Sequence, residues 1–161
     1  LPDNEVPEKL LSELSEPFRY KSSHGEIIGT HNGAHFFTIG QRKGMNVGGH
    51  KNALFVIATD VEKNIVYVGE GQDHPGLNRK GLFITNEETH WIRTDLRMTE
   101  GENRDYMVRI RYRQPLQKGR LYYRSKGIYI IFDKPQRGIA PGQFAAWYDG
   151  NELIGSGVID R

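Results

Sequence analysis

The chain has 161 residues and a formal net charge of +2, and 37% of its residues are hydrophobic. This length suffices for one medium domain or two small ones. The absence of cysteine excludes disulfides, thiolate metal sites and cysteine nucleophiles within these residues. The sequence shows neither a 20-residue apolar run nor a signal-peptide pattern, so we expect no membrane partner and a cytoplasmic location.

The first predicted element is a short helix within a tail over residues 1–19. Pro7 suits a first helical turn, and Leu10, Leu11 and Leu14 follow it at helical spacing. A helix of this length is marginal alone, so we expect it to pack on something or fray.

A small central β domain is predicted over residues 20–79. Its expected strands are 26–30, 34–39, 54–58 and 64–68. The last two flank a polar turn, which is a strong hairpin signal. A turn-rich stretch ends this region and predicts a domain boundary.

Residues 80–161 repeat short aromatic and β-branched runs with turns between them. Asp149-Gly150 separates the last two runs, and Asp-Gly between apolar runs is a strong hairpin marker. About six strands in roughly 80 residues predict a small six-stranded β-barrel. The fold class expected for the whole chain is therefore mainly β.

A basic segment stands out in the second half, with eight basic residues and one acidic residue between Arg104 and Lys126. Its densest part is a strand predicted over 106–113. Strand alternation places Val108, Ile110 and Tyr112 on one face, and Arg109, Arg111 and Arg113 on the other. Three neighbouring guanidinium groups predict a polyanion site, because phosphates would neutralise them. A solvated barrel face is the alternative interpretation.

Four tyrosines near the basic strand can stack on unpaired bases. We expect most of them to belong to the barrel core instead. They are Tyr112, Tyr122, Tyr123 and Tyr129.

A second candidate site is the loop Gly40-Gln-Arg-Lys-Gly44. Its backbone N–H groups, with Arg42 and Lys43, can hold an anion. A tight hairpin loop is an equally good interpretation. The pattern is not a Walker A loop.

No set of residues in the chain supports catalysis by itself. His31 and His35 are four residues apart in a strand-like region without an intervening glutamate, so we do not predict a zinc site.

Five segments occur in the order and with the spacing of one family: 37–44, 73–77, 90–91, 111–114 and 140–143. They are Phe-Thr-Ile-Gly-Gln-Arg-Lys-Gly, Asp-His-Pro-Gly-Leu, His-Trp, Arg-Tyr-Arg-Gln and Ala-Pro-Gly-Gln. On these motifs the sequence resembles the tRNA-specific 2-thiouridylases, from about Gly29 to the C-terminus. The resemblance implies a central β domain followed by a barrel like those of translation factors.

The resemblance also implies an activity for the full-length enzyme. The family uses ATP to activate the wobble uridine of tRNA, and a cysteine persulfide then delivers sulfur. Its substrates are tRNAs for lysine, glutamate and glutamine, and a sulfur-relay protein is a further partner. By the same resemblance, Arg111, Tyr112 and Gln143 fall on positions that contact tRNA.

The chain lacks the family's Ser-Gly-Gly-x-Asp-Ser ATP motif and both catalytic cysteines. The resemblance therefore covers the central and C-terminal domains only, and we expect this segment to bind no cofactor and to be inactive alone. The alternative is a stand-alone barrel that binds proteins and has no role with RNA. The family's older methyltransferase label finds no support, since no glycine-rich strand-to-helix turn is present.

Overall fold

A computed structural model describes residues 6–42, 48–49 and 52–161. Contacts divide the chain into two compact units. Unit 1 consists of Leu1–Glu16 together with Arg79–Arg161, and unit 2 is Pro17–Asn78. Unit 1 is thus built from two separate stretches of sequence.

The predicted N-terminal helix is confirmed as α1, Glu8–Ser15, with Pro7 preceding its first turn. Leu11 is buried on this helix and joins a cluster with Phe83, Tyr122 and Tyr129. The Ser15 hydroxyl donates to the carbonyl of Leu82 at 3.3 Å. A helix of eight residues gains its stability from such packing, so α1 is an integral part of unit 1.

Unit 2 contains the predicted hairpin, formed by β1 (Leu54–Asp60) and β2 (Ile65–Glu70) in antiparallel pairing. The strand predicted over 34–39 is wrong, because Ala34–Phe36 is a 3₁₀ turn. The N–H groups of Gly33 and Ala34 donate to the side chains of His31 and Asn64, at 3.0 and 2.8 Å. Donors held locally by side chains are not available to a strand ladder. Residues 26–30 do not form a strand either.

The core of unit 2 is a small cluster of Phe55, Ile57 and Leu77, with Tyr20 and Tyr67 packed against it. Gly76 lies under the hydroxyl of Tyr20, where a Cβ atom would come within 2.1 Å of that oxygen. Burial raises the pKa of Tyr20. The close approach accounts for a glycine at this position of the motif 73–77.

Unit 1 is a curled antiparallel sheet of seven strands, one more than predicted. The barrel type of fold is confirmed, and the sheet order is β3-β7-β6-β5-β8-β9-β4. The strands are β3 (Asn78–Thr85), β4 (Thr89–Trp91), β5 (Asn103–Arg109), β6 (Gln117–Arg124), β7 (Gly127–Arg137), β8 (Phe144–Asp149) and β9 (Glu152–Val158).

The curl brings β3 to the segment that follows β9. The N–H of Phe83 donates to the carbonyl of Arg161 at 2.7 Å, and the N–H of Asp160 donates to the carbonyl of Phe83 at 2.9 Å. The Arg161 guanidinium also lies 4.8 Å from the centre of the Phe83 ring. These contacts cover part of an edge that would otherwise present unpaired backbone groups.

The core of unit 1 lies inside this sheet and includes Trp147, Phe132, Ile130 and Leu121. Trp91 meets Trp147 edge to face, with ring centres 5.4 Å apart. No helix within the described residues is long and apolar enough to span a membrane.

Candidate nucleic-acid interface

The strand that carries the basic residues ends earlier than predicted. β5 stops at Arg109, and the next N–H, that of Ile110, donates to Oε1 of Gln114 at 3.0 Å. The N–H of Gln114 donates to the carbonyl of Arg111 at 3.2 Å, which closes a turn. The strand prediction over 106–113 is therefore wrong beyond Arg109, because the Gln114 side chain takes the donor that a longer ladder would use.

We call Arg111–Gln114 the basic turn. Tyr112 and Arg113 occupy its two central positions, and both side chains are exposed. Tyr112 is 87% exposed, whereas Val108 and Ile110 are buried in the core. The predicted alternation thus holds for Val108 and Ile110 but not for Tyr112, which projects into solvent with its ring open to stacking.

Arg111 is anchored to the end of β7, where one of its Nη atoms donates to the carbonyl of Arg137. Burial lowers the pKa of Arg111, and the nearby charge of Arg137 lowers it further. Like charges disfavour the charged form of each other, so Arg137 adds to the positive potential that Arg111 experiences. The sequence prediction missed Arg137, because it lies outside the basic segment that the charge count defined.

Arg109 lies on the outer face of β5, opposite the buried Val108. Its guanidinium carbon is 5.5 Å from the centre of the Tyr148 ring on β8. Its Nη1 donates to the carbonyl of Tyr112 at 3.4 Å. Arg109 therefore stabilises the basic turn through the Tyr112 carbonyl and adds its positive charge beside that turn.

The other arginines of the basic segment are held within the sheet. Arg104 pairs with Glu102 at 2.9 Å, and Arg120 pairs with Asp105 at 2.6 Å. Among the described residues, no carboxylate forms an ion pair with Arg109, Arg111 or Arg113. Arg109, Arg111 and Arg113 are thus three arginines within five residues that have no carboxylate partner among the described residues.

Three of the four candidate tyrosines pack in or against the core of unit 1, as expected for most of them. Tyr122 and Tyr129 pack against α1, and Tyr123 packs partly against the main core of unit 1. Tyr112 is the member of this set whose ring is exposed.

Gln143 follows the Pro141-Gly142 turn at the start of β8. Its N–H donates to the carbonyl of Ala140 at 3.3 Å, and its carbonyl accepts from the N–H of Ile159 at 2.7 Å. Its side-chain oxygen is buried and accepts no hydrogen bond from the described residues. The next residue, Phe144, is 66% exposed and shares the outer face of β8 with Tyr148. The Gln143 amide oxygen thus lacks a partner in a buried position, and the Phe144 ring is open to contact with a ligand.

The glycine-basic loop belongs to unit 2. Arg42 is exposed, and Lys43 lies outside the described residues. The two ring nitrogens of His31 are hydrogen bonded, one to the N–H of Gly33 and the other to the carbonyl of Asn64 at 3.1 Å. His31 therefore serves the local backbone.

Two family models match the chain in separate regions. The tRNA methyl transferase PRC-barrel domain matches residues 13–70, and the aminomethyltransferase beta-barrel domain matches residues 82–159.

Similar proteins include the tRNA-specific 2-thiouridylases of Flavobacterium johnsoniae, Christiangramia forsetii and Halalkalibacterium halodurans. The first is 54% identical over 152 residues, which is 94% of this chain and 38% of that protein. The second is 53% identical and the third 42%, each over more than 90% of this chain and 38% of the relative. The chain thus spans a little over a third of the length of these relatives.

Proposed function

We propose that the chain docks tRNA for an enzyme that 2-thiolates the wobble uridine, because it belongs to the tRNA-specific 2-thiouridylase family. The family resemblance covers the central and C-terminal domains. The single observation that carries this proposal is the basic turn. It joins an exposed aromatic ring to guanidinium groups that have no carboxylate partner among the described residues. Phosphate contacts supply affinity for RNA, and stacking on unpaired bases adds to it.

The proposed docking surface is made of Arg111, Tyr112, Arg113 and Arg109, with Gln143 at the start of β8. Arg42 and Lys43 form a second proposed contact on unit 2. An anticodon stem-loop fits this surface because it offers both phosphates and unstacked bases.

The chemistry is proposed for the full-length enzyme. There ATP would activate the wobble uridine and a cysteine persulfide would supply sulfur, with a sulfur-relay protein as donor. The proposed substrates are tRNAs for lysine, glutamate and glutamine, in the cytoplasm. This chain has no cysteine, so we expect it to bind tRNA without modifying it.

The test is the binding of tRNA to the 161-residue chain at low salt, for the wild type and for Arg111→Ala. We expect Arg111→Ala to weaken binding by roughly 1–2 kcal/mol, because it removes a phosphate contact. The slope of log K against log salt should also become shallower by about 0.7–0.9, the equivalent of one phosphate contact. Filter binding across a salt series measures both quantities.

Arg97→Ala is the matched control, since Arg97 is an exposed arginine of unit 1 that lies outside the basic segment. It removes the same charge from the chain and should leave the affinity nearly unchanged. Equal losses of tRNA affinity for the two variants would mean that binding depends only on the net charge of the chain. If the wild type binds no tRNA at low salt, the alternative of a protein-binding barrel is favoured instead.

A further inference from the structure

We propose that Gln114 and Gln136 are positioning residues, whose side-chain amides form a relay that holds the basic turn in the conformation that meets RNA. This inference rests on the proposed tRNA docking for its functional part. Its structural part stands on hydrogen bonds and burial.

The relay consists of three hydrogen bonds that run in one direction. The N–H of Ile110 donates to Oε1 of Gln114 at 3.0 Å, and Nε2 of Gln114 donates to Oε1 of Gln136 at 3.0 Å. Nε2 of Gln136 then donates to the carbonyl of Lys134 at 2.9 Å. Because the first donor is a backbone N–H and the last acceptor a backbone carbonyl, the orientation of both amides is fixed.

Gln136 is an unusual residue for the place it occupies. It is only 5% exposed, and a buried amide is costly unless its donor and acceptor are both paired. Its oxygen is satisfied by the basic turn and not by a strand of the sheet. An apolar residue would fill the same space without this requirement, so the amide at this position serves the turn.

The relay joins the basic turn to the end of β7, where Arg111 is also attached. Gln136 accepts from Gln114, and the next residue, Arg137, accepts from Arg111 through its carbonyl. The turn is therefore attached at its first and last residues to two consecutive residues of one strand. A turn held in this way does not have to be ordered when RNA binds, and this saves conformational entropy.

The first measurement needs no RNA. Gln136→Met keeps the volume of the side chain but removes both of its hydrogen bonds. We expect the Ile110 amide proton to exchange about tenfold faster in this variant, because the Gln114 oxygen that accepts it is no longer held. Gln114→Met, at a less buried position, removes the acceptor itself and should give a larger increase.

The second measurement is tRNA affinity. Both variants should bind about fivefold to tenfold more weakly, with the melting temperature followed to confirm folding. In the Arg111→Ala background, Gln136→Met should cause a smaller loss of tRNA affinity than in the wild type, because both changes act on the same turn. A purely global loss of stability would instead give additive losses.

Gln117→Met is the control. Gln117 lies just after the basic turn, and its amide donates to the carbonyl of Pro115 at 3.1 Å. It should change neither Ile110 exchange nor affinity.

The outcomes separate the two levels of the proposal. Unchanged Ile110 exchange in both Met variants would overturn the relay. Faster exchange with unchanged affinity would overturn its role with RNA. Absence of tRNA binding by the wild type would overturn the proposed function and the RNA role together, while the exchange data would still decide whether the relay holds the turn.

Discussion

The basic segment of unit 1 has two parts that the structure treats differently. In the strands, Arg104 and Arg120 lie against Glu102 and Asp105. In the basic turn, Arg111 donates to a backbone carbonyl, and Arg113 is exposed. Arginines that look equivalent in the sequence thus pair with carboxylates in the first part, whereas those of the second part lie in a turn without a carboxylate partner among the described residues.

The pairing of strands explains the difference. Asp105 on β5 lies directly opposite Arg120 on β6 in the antiparallel register, which is a favourable cross-strand pair. A turn has no opposite strand, so its side chains have no cross-strand partner. A count of charge along the chain cannot make this distinction, whereas the register of the strands can.

The largest effect on stability should come from Arg79, a partly buried arginine at the start of β3. It donates to the carbonyl of Ser15 at 2.6 Å and to that of Ile139 at 3.1 Å. Burial lowers its pKa to about 10, and the charge of Glu16 opposes that change. Arg79→Met leaves two carbonyls without their donor and should reduce the free energy of unfolding by about 2 kcal/mol.

Urea denaturation measures this change, with Lys80→Met as the control, because Lys80 is the exposed neighbour. If Arg79→Met instead weakens tRNA binding without changing stability, Arg79 acts in binding like the arginines of the basic turn. The distinction between structural and exposed arginines would then be wrong.

A smaller effect is expected for the cross-strand pair. Arg120→Ala should lower the free energy of unfolding by up to about 1 kcal/mol, as for other partly exposed ion pairs. It should weaken tRNA binding less than Arg111→Ala does, because a paired arginine makes no phosphate contact and the remaining effect is the repulsion of RNA by the unpaired Asp105. The converse variant, Asp105→Asn, keeps Arg120 and should strengthen tRNA binding, because one more positive charge becomes available.

Filter binding and thermal unfolding on both variants test this prediction. An affinity loss for Arg120→Ala as large as that for Arg111→Ala would show that pairing within the sheet does not withdraw an arginine from RNA.

The smallest effect concerns pH. The hydroxyl and N–H of Thr99, and then Arg104, hold the pKa of Glu102 down to about 2, from an ordinary value of 4.5. A carboxylate whose pKa is lowered by folding stabilises the protein above its unfolded pKa and loses that contribution as the pH falls through the folded value. The wild type should therefore lose more stability between pH 5 and pH 2 than Glu102→Gln.

Denaturation at a series of pH values measures this difference, which is small because solvent screens the partly exposed Glu102 carboxylate. If the free energy of unfolding depends on pH equally in the two proteins, the Glu102 carboxylate does not stabilise unit 1.

The parts of the fold that depend on local patterns could be predicted from the sequence. The β1–β2 hairpin and α1 follow directly from apolar spacing and from Pro7. The strand over 34–39 was wrong because Asn64, thirty residues away, supplies a side-chain acceptor to Ala34. Propensity within a window cannot include such a partner.

The candidate site could be predicted only in part. Arg111 and Tyr112 were singled out by charge and by the resemblance, and their role with tRNA stays a prediction. The end of β5 at Arg109 depends on Gln114, whose amide is in turn oriented by Gln136, 22 residues further along the chain. Arg137 and Phe144 were missed for a similar reason, since neither the Arg111–Arg137 hydrogen bond nor the exposure of Phe144 follows from a local pattern.

The contact between β3 and the segment after β9 has a consequence for how unit 1 forms. Phe83 bonds to Asp160 and Arg161, nearly eighty residues later. Closing so long a loop is entropically costly, and folds dominated by such distant pairings form slowly. During synthesis, β3 leaves the ribosome long before these partners exist. Until Asp160 and Arg161 have been synthesised, the outer edge of β3 lacks these backbone partners, and an unpaired strand edge is a potential site of misassembly.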